Sequence, residues 1–97
     1  MRKTAKAAWV FPMVCGYVFI NTELGTAASV AEKVGKIKGI ETACAVTGDV
    51  DVIAHFNVKE VSDIATVVAD KVHAVEGVLA TQTLICVSCH GEKCKVC

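Results

Sequence analysis

The feature that most constrains this chain is a change in the spacing of its apolar residues, which alternates between a strand period and a helix period within residues 14–87. Residues 14–20 are rich in β-branched and aromatic side chains. They run into the polar break Asn21-Thr22-Glu23-Leu24-Gly25, which predicts a first strand. Over residues 26–37 the apolar positions Ala27, Val30, Ala31, Val34 and Ile37 recur at steps of three and four, so they share one helical face. Glu32, Lys33 and Lys36 take the wet face, and Lys38-Gly39 ends the helix because glycine accepts the left-handed conformation there. Residues 40–58 return to alternation. Val50, Val52, Ala54, Phe56 and Val58 lie on one side, with Asp51, His55 and Asn57 on the other, and Gly48-Asp49 divides the stretch into a hairpin. A second amphipathic helix is predicted over residues 60–73, with Val61, Ile64, Ala65, Val68 and Val72 on its apolar face and Glu76-Gly77 closing it. Residues 78–87 form the last strand, where Thr81 and Thr83 emerge on the same side.

The order β, α, β, β, α, β predicts an α+β fold, a ferredoxin-like plait in which two helices cover one face of a four-stranded antiparallel sheet. The other face is left bare, with apolar groups such as Ile53 on it. Packing that face against a second copy gives an assembly of the dimeric α/β-barrel type. Composition supports this: 97 residues allow one domain, yet 54% are hydrophobic and 21% charged, more apolar surface than one small core hides. We therefore expect at least a dimer. The expected organisation is a mobile N-terminal extension over residues 1–13, the folded domain over 14–87 and a cysteine-rich tail over 88–97. Arg2, Lys3 and Lys6 before the apolar residues 7–15 faintly imitate a signal peptide, but Pro12, Met13 and the short apolar core argue against export. The expected location is cytoplasmic. Ten basic side chains balance ten acidic ones, so no general positive field points to direct nucleic-acid binding. No apolar run approaches the roughly 20 residues of a membrane span.

Three segments carry a resemblance: Tyr17-Val18-Phe19-Ile20-Asn21-Thr22-Glu23-Leu24-Gly25, Val46-Thr47-Gly48-Asp49-Val50-Asp51-Val52-Ile53-Ala54, and Gly77-Val78-Leu79-Ala80-Thr81-Gln82-Thr83-Leu84-Ile85. In this order they resemble the effector-binding (RAM) domain of the leucine-responsive/asparagine regulator (Lrp/AsnC) family in its stand-alone form, across about residues 14–87. The resemblance implies dimers formed through the sheets, higher oligomers, and an amino-acid-like effector bound between dimers. It carries over Thr47, Gly48, Asp49 and Asp51 in the hairpin and Thr81 and Thr83 in the last strand as ligand contacts. Carboxylates there can accept from an ammonium group, and threonine hydroxyls and glycine backbone can serve a carboxylate. The same residues also suit a tight hairpin and ordinary strand packing. Two departures stand out. Val50 occupies a position where the family often has an aromatic residue, and the thirteen residues before strand one cannot hold the helix-turn-helix of the full-length regulators. A regulatory module without its own DNA-binding domain, able to co-assemble with full-length Lrp/AsnC relatives, is the expectation.

Beyond the last strand, Cys86-Val87-Ser88-Cys89-His90-Gly91-Glu92-Lys93-Cys94-Lys95-Val96-Cys97 lies outside the family pattern. Two CxxC pairs bring Cys86, Cys89, Cys94 and Cys97 within reach of one tetrahedral zinc ion, with Gly91 available to reverse the chain. Free thiols or reversible disulfides are an alternative reading. Covalent haem at Cys86, Cys89 and His90 is another, since those residues match a c-type attachment motif, and a four-iron cluster is a fourth. Cys15 and Cys44, inside predicted strands, are expected to be small buried hydrophobes. His55, His73 and His90 have no visible partner, and neither a phosphate-cradling loop nor a nucleophile motif is present. A small monooxygenase on the same plait is the enzymatic rival. Its reactive cavity between sheet and helices conflicts with a face lined by Val, Ala, Ile and Phe, so the chain is expected not to be an enzyme.

Overall fold

The computed structural model describes residues 13–91, so residues 1–12 of the expected extension over 1–13 and residues 92–97 of the tail lie outside it. Four strands, β1 (Val14–Thr22), β2 (Ile40–Ala45), β3 (Val52–Val58) and β4 (Val78–Ile85), form one sheet in the order β2-β3-β1-β4. Every pairing is antiparallel. Helix α1 (Ala27–Val34) connects β1 to β2, and a second helix begins as α2 (Val61–Ile64) and continues as a π-helix (Ala65–Val72). This is the ferredoxin-like plait that the periodicity predicts.

Strand alternation sorts the side chains between the two faces. Val18, Ile20, Val52, Ala54 and Phe56 point to the helical layer and meet Val30, Ala31, Val34, Val67, Val68 and Val72 in one core. Burial in α1 follows the expected stripe. The second helix departs from its prediction: Val61 and Ala65 are exposed, whereas Val67 is buried beside Val68 and Val72. The wider winding explains this. His73 N–H donates to the Val68 carbonyl five residues back, 3.0 Å, so Val67 and Val72, also five apart, come onto one face.

Glycines mark where the elements approach most closely. Gly39 and Gly77, both at φ +102°, turn the chain from a helix into a strand. A Cβ on Gly39 would lie 2.9 Å from Val67, and one on Gly77 would lie 3.0 Å from Val30. Each half of the plait thus seats its turn against the other half's helix. Gly16 has another reason to be glycine: a Cβ would run into the Leu84 carbonyl and sit 2.9 Å from the Phe56 ring.

On the open face stand Tyr17, Phe19, Ile53, His55 and Leu84, with Tyr17 47% and Leu84 37% exposed. Tyr17 and His55 lie ring to ring at 5.2 Å between centroids. Cys15 is buried, but it is disulfide-bonded and so not the simple small hydrophobe expected, and Cys44 is exposed: it pairs with Ile53 from the outer strand β2, on the face that no helix covers.

Candidate functional site

The hairpin over residues 46–51 is strapped to the end of β1. Val46 N–H donates to the Asp51 carbonyl, 2.9 Å, and Asp51 N–H donates to the Ile20 carbonyl, 3.0 Å. One Asp51 carboxylate oxygen accepts Thr22 N–H at 2.8 Å, and Asn21 Nδ2 donates to the Asp49 carbonyl at 3.0 Å. Gly48 at φ +141° has no atom within 4 Å of where a Cβ would stand, so backbone conformation and not crowding selects glycine there. Thr47 and Asp49 are exposed with their side chains free of described partners. Asp51 is different: half of its carboxylate already serves the backbone of β1.

Thr81 and Thr83 do emerge together, on the helical side of β4, opposite Ile20 and Val18. The sheet order places β1 between them and the hairpin, about 10 Å of sheet at ordinary strand spacing. Val52, Ile20 and Thr81 form one row across the sheet and Asp51 immediately precedes it, so hairpin and threonines share an end of the molecule without forming one cleft within a chain. Thr81 Oγ1 shares a hydrogen bond of 2.7 Å with His73 Nε2. This pair escaped the sequence reading; its one signal was the short connection that folds β4 back beneath the last turn of the second helix.

All three histidines have partners, contrary to the sequence expectation. Besides His73, His55 Nδ1 lies 3.7 Å from Glu41 Oε1, and His90 Nε2 shares a 2.6 Å hydrogen bond with Ser88 Oγ. Of the tail cysteines, Cys86 carries a free thiol and Cys89 is disulfide-bonded, while Cys94 and Cys97 lie outside the described residues. Cys15 is also disulfide-bonded, and Cys86 N–H donates to the Cys15 carbonyl at 2.8 Å, which carries the β1–β4 pairing one step beyond Ile85. Among the described residues no three of His, Cys, Asp and Glu gather as a metal group. No helix of the described residues is long and apolar enough to cross a membrane.

A cavity of about 460 Å³ opens at the other end of the sheet, lined by none of the six hairpin and strand residues. Its walls come from the α1–β2 turn, the end of β3 and the second helix, with Lys38, Lys59 and Lys71 among them.

A four-stranded antiparallel sheet, one helical layer, an open apolar face and a polar hairpin at one end define a ferredoxin-like α+β module. The family model for the Lrp/AsnC ligand binding domain matches residues 15–93, and the chain belongs to that family. The family is one of regulatory ligand-binding domains and not of enzymes. Solved structures share the fold. A Thermus thermophilus protein superimposes with a TM-score of 0.75 at 23% identity, covering 80% of this chain and 98% of its own. Escherichia coli AsnC gives 0.72 at 16%, covering 84% of this chain and 55% of its own. A Neisseria meningitidis transcriptional regulator in complex with L-Met gives 0.70 at 17%, covering 82% and 53%. Comparison with curated protein sequences finds no match.

Proposed function

We propose that this chain is a small-molecule-binding regulatory module of the cytoplasm. It assembles through its open sheet faces and holds an amino-acid-like effector at Thr47, Gly48, Asp49, Asp51, Thr81 and Thr83. The open face carries the reading, since Tyr17, Phe19, Ile53 and Leu84 form an apolar surface that a second copy would cover. Membership of a ligand-binding family supports the effector, and the L-Met carried by the Neisseria regulator suggests its class. Within one chain β1 separates the hairpin from the threonines, so a neighbouring copy is needed to close the site around a ligand. The module acts without catalysis, either alone or in mixed assemblies with full-length relatives.

Sedimentation should show a dimer or larger species at micromolar concentration, and a thermal-shift screen of amino acids including L-Met should give a stabilising ligand whose effect is lost in Asp49→Ala. A single 10.2 kDa species, or a screen without a hit on the intact oligomer, rejects the reading.

The tail supports a separate reading for the reduced chain, in which Cys86, Cys89, Cys94 and Cys97 hold zinc. A disulfide sulfur is not a thiolate donor, so zinc and the Cys89 disulfide exclude one another. Protein reduced and purified anaerobically should carry about one zinc per chain and the oxidised form none. Less than about half an equivalent in the reduced form rejects the four-sulfur site, and a haem absorption spectrum replaces it with covalent attachment at Cys86 and Cys89.

A further inference from the structure

We infer that the cavity at the end of the sheet opposite the hairpin is a second ligand site, one that takes a small organic anion: a carboxylate or phosphate group on a short aliphatic body. Three elements distant in sequence bring a lysine to it. Lys38 comes from the α1–β2 turn, Lys59 from the residue after β3, and Lys71 from the π-helical segment. Among the described residues no carboxylate lies within ion-pair distance of any of them; the pairs formed are Lys36 with Glu32 and His55 with Glu41. One acidic side chain, Asp63, also lines the cavity; its Oδ2 accepts Glu60 N–H at 3.1 Å at the start of the second helix, and its charge offsets that of one lysine. Met13 also lines it.

With Asp63 counted, the lining holds two more positive charges than negative ones, which favours an anion. An anion balances that charge and accepts charge-assisted hydrogen bonds from the ammonium groups. The remaining walls set the rest of the ligand. Val58, Val67 and Met13 offer apolar surface, Thr66 adds a hydroxyl, and about 460 Å³ lies in the range of small-molecule sites. The occupant is therefore amphipathic and compact, unlike a bare inorganic ion and unlike a zwitterion, whose ammonium group would meet three others.

The site is independent of the proposed effector site, and the test keeps the two apart. Full-length ¹⁵N-labelled protein is titrated separately with 3-methylbutanoate, isobutyl phosphate, inorganic phosphate and L-leucine, and amide shifts are followed by NMR. Saturable shifts at Gly39, Lys59, Thr66 and Lys71 with either organic anion are expected, and whichever binds more tightly fixes the headgroup. L-Leucine should leave these amides in place. Lys59→Ala/Lys71→Ala should weaken anion binding by about tenfold or more, while Lys59→Arg/Lys71→Arg should stay within about threefold. Both lysines are exposed, and circular dichroism checks that the variants keep their fold. The inference is overturned if neither organic anion shifts these amides, if inorganic phosphate or L-leucine does so equally well, or if the alanine pair binds unchanged. It is also overturned if the anions move the hairpin amides over residues 46–51 instead. Loss of amino-acid binding in Asp49→Ala bears on the effector site alone.

Discussion

The two ends of the sheet solve the same problem differently. At the hairpin end the turn lies in open space and is held by hydrogen bonds: Asp51 and Asn21 tie residues 46–51 to β1. At the other end the Gly39 turn has a hydrogen bond of its own, from Asn57 N–H to the Gly39 carbonyl at 2.9 Å, but it is also closely packed, with no room for a Cβ beside Val67 and Val58; Lys38, Lys59 and Lys71 around it form no ion pair among the described residues. The Asp51 carboxylate at one end is partly used within the chain, while the three lysines at the other pair with no carboxylate among the described residues. A chain with no net charge can therefore still hold its lysines and its carboxylates in different places, which its balance of ten acidic and ten basic side chains conceals.

The contrast should appear first in stability. Gly39→Ala must place a Cβ 2.9 Å from Val67 at a φ of +102°, so it should lower unfolding free energy by about 3 kcal/mol in urea denaturation. The equivalent change at the hairpin, Gly48→Ala, meets no atom and should cost about 1 kcal/mol from backbone conformation alone. Equal losses at the two glycines would show that packing does not distinguish the ends.

Within the hairpin, Asp51→Ala should cost about 1.5 kcal/mol, because Thr22 is buried and its N–H would lose the carboxylate acceptor. Asp49→Ala should change stability by less than about 0.5 kcal/mol, since its side chain is exposed and its bond to Asn21 runs through the backbone carbonyl. The smallest effect is expected at the basic end. Lys71→Ala should be neutral or stabilising by roughly a few tenths of a kcal/mol, as one of three like charges is removed. A loss above about 1 kcal/mol would instead mean that its aliphatic stem holds the cavity wall.

Much of this architecture is written locally. The change of period from two to three-and-four identifies which residues turn inward in β1, α1 and β3, because alternation and helical recurrence are properties of the chain's own geometry. Gly48 in the hairpin, and Gly39 and Gly77 at the helix ends, are legible for the same reason: a positive φ is a local demand. The six residues Thr47, Gly48, Asp49, Asp51, Thr81 and Thr83 were legible as types suited to a ligand. Their separation by β1 was not, since strand order depends on long-range pairing.

What only the tertiary structure decided involves residues far apart in the chain. The π-winding over Ala65–Val72 exchanges Val61 and Ala65 for Val67 in the core, a choice that the facing sheet makes and the helical period cannot show. Cys44 is exposed because β2 lies at the edge and its outward face has no cover. His73 meets Thr81 because β4 returns beneath the helix that precedes it. Lys38, Lys59 and Lys71 read singly as solvated charges on three different elements, and they face one cavity because the turn, the strand end and the helix converge there. By itself the sequence determined the order of elements and the inward side of most of them, through backbone periodicity. The pairing of strands and the packing of helices on them decided which polar groups meet, because those contacts join residues that no local pattern links.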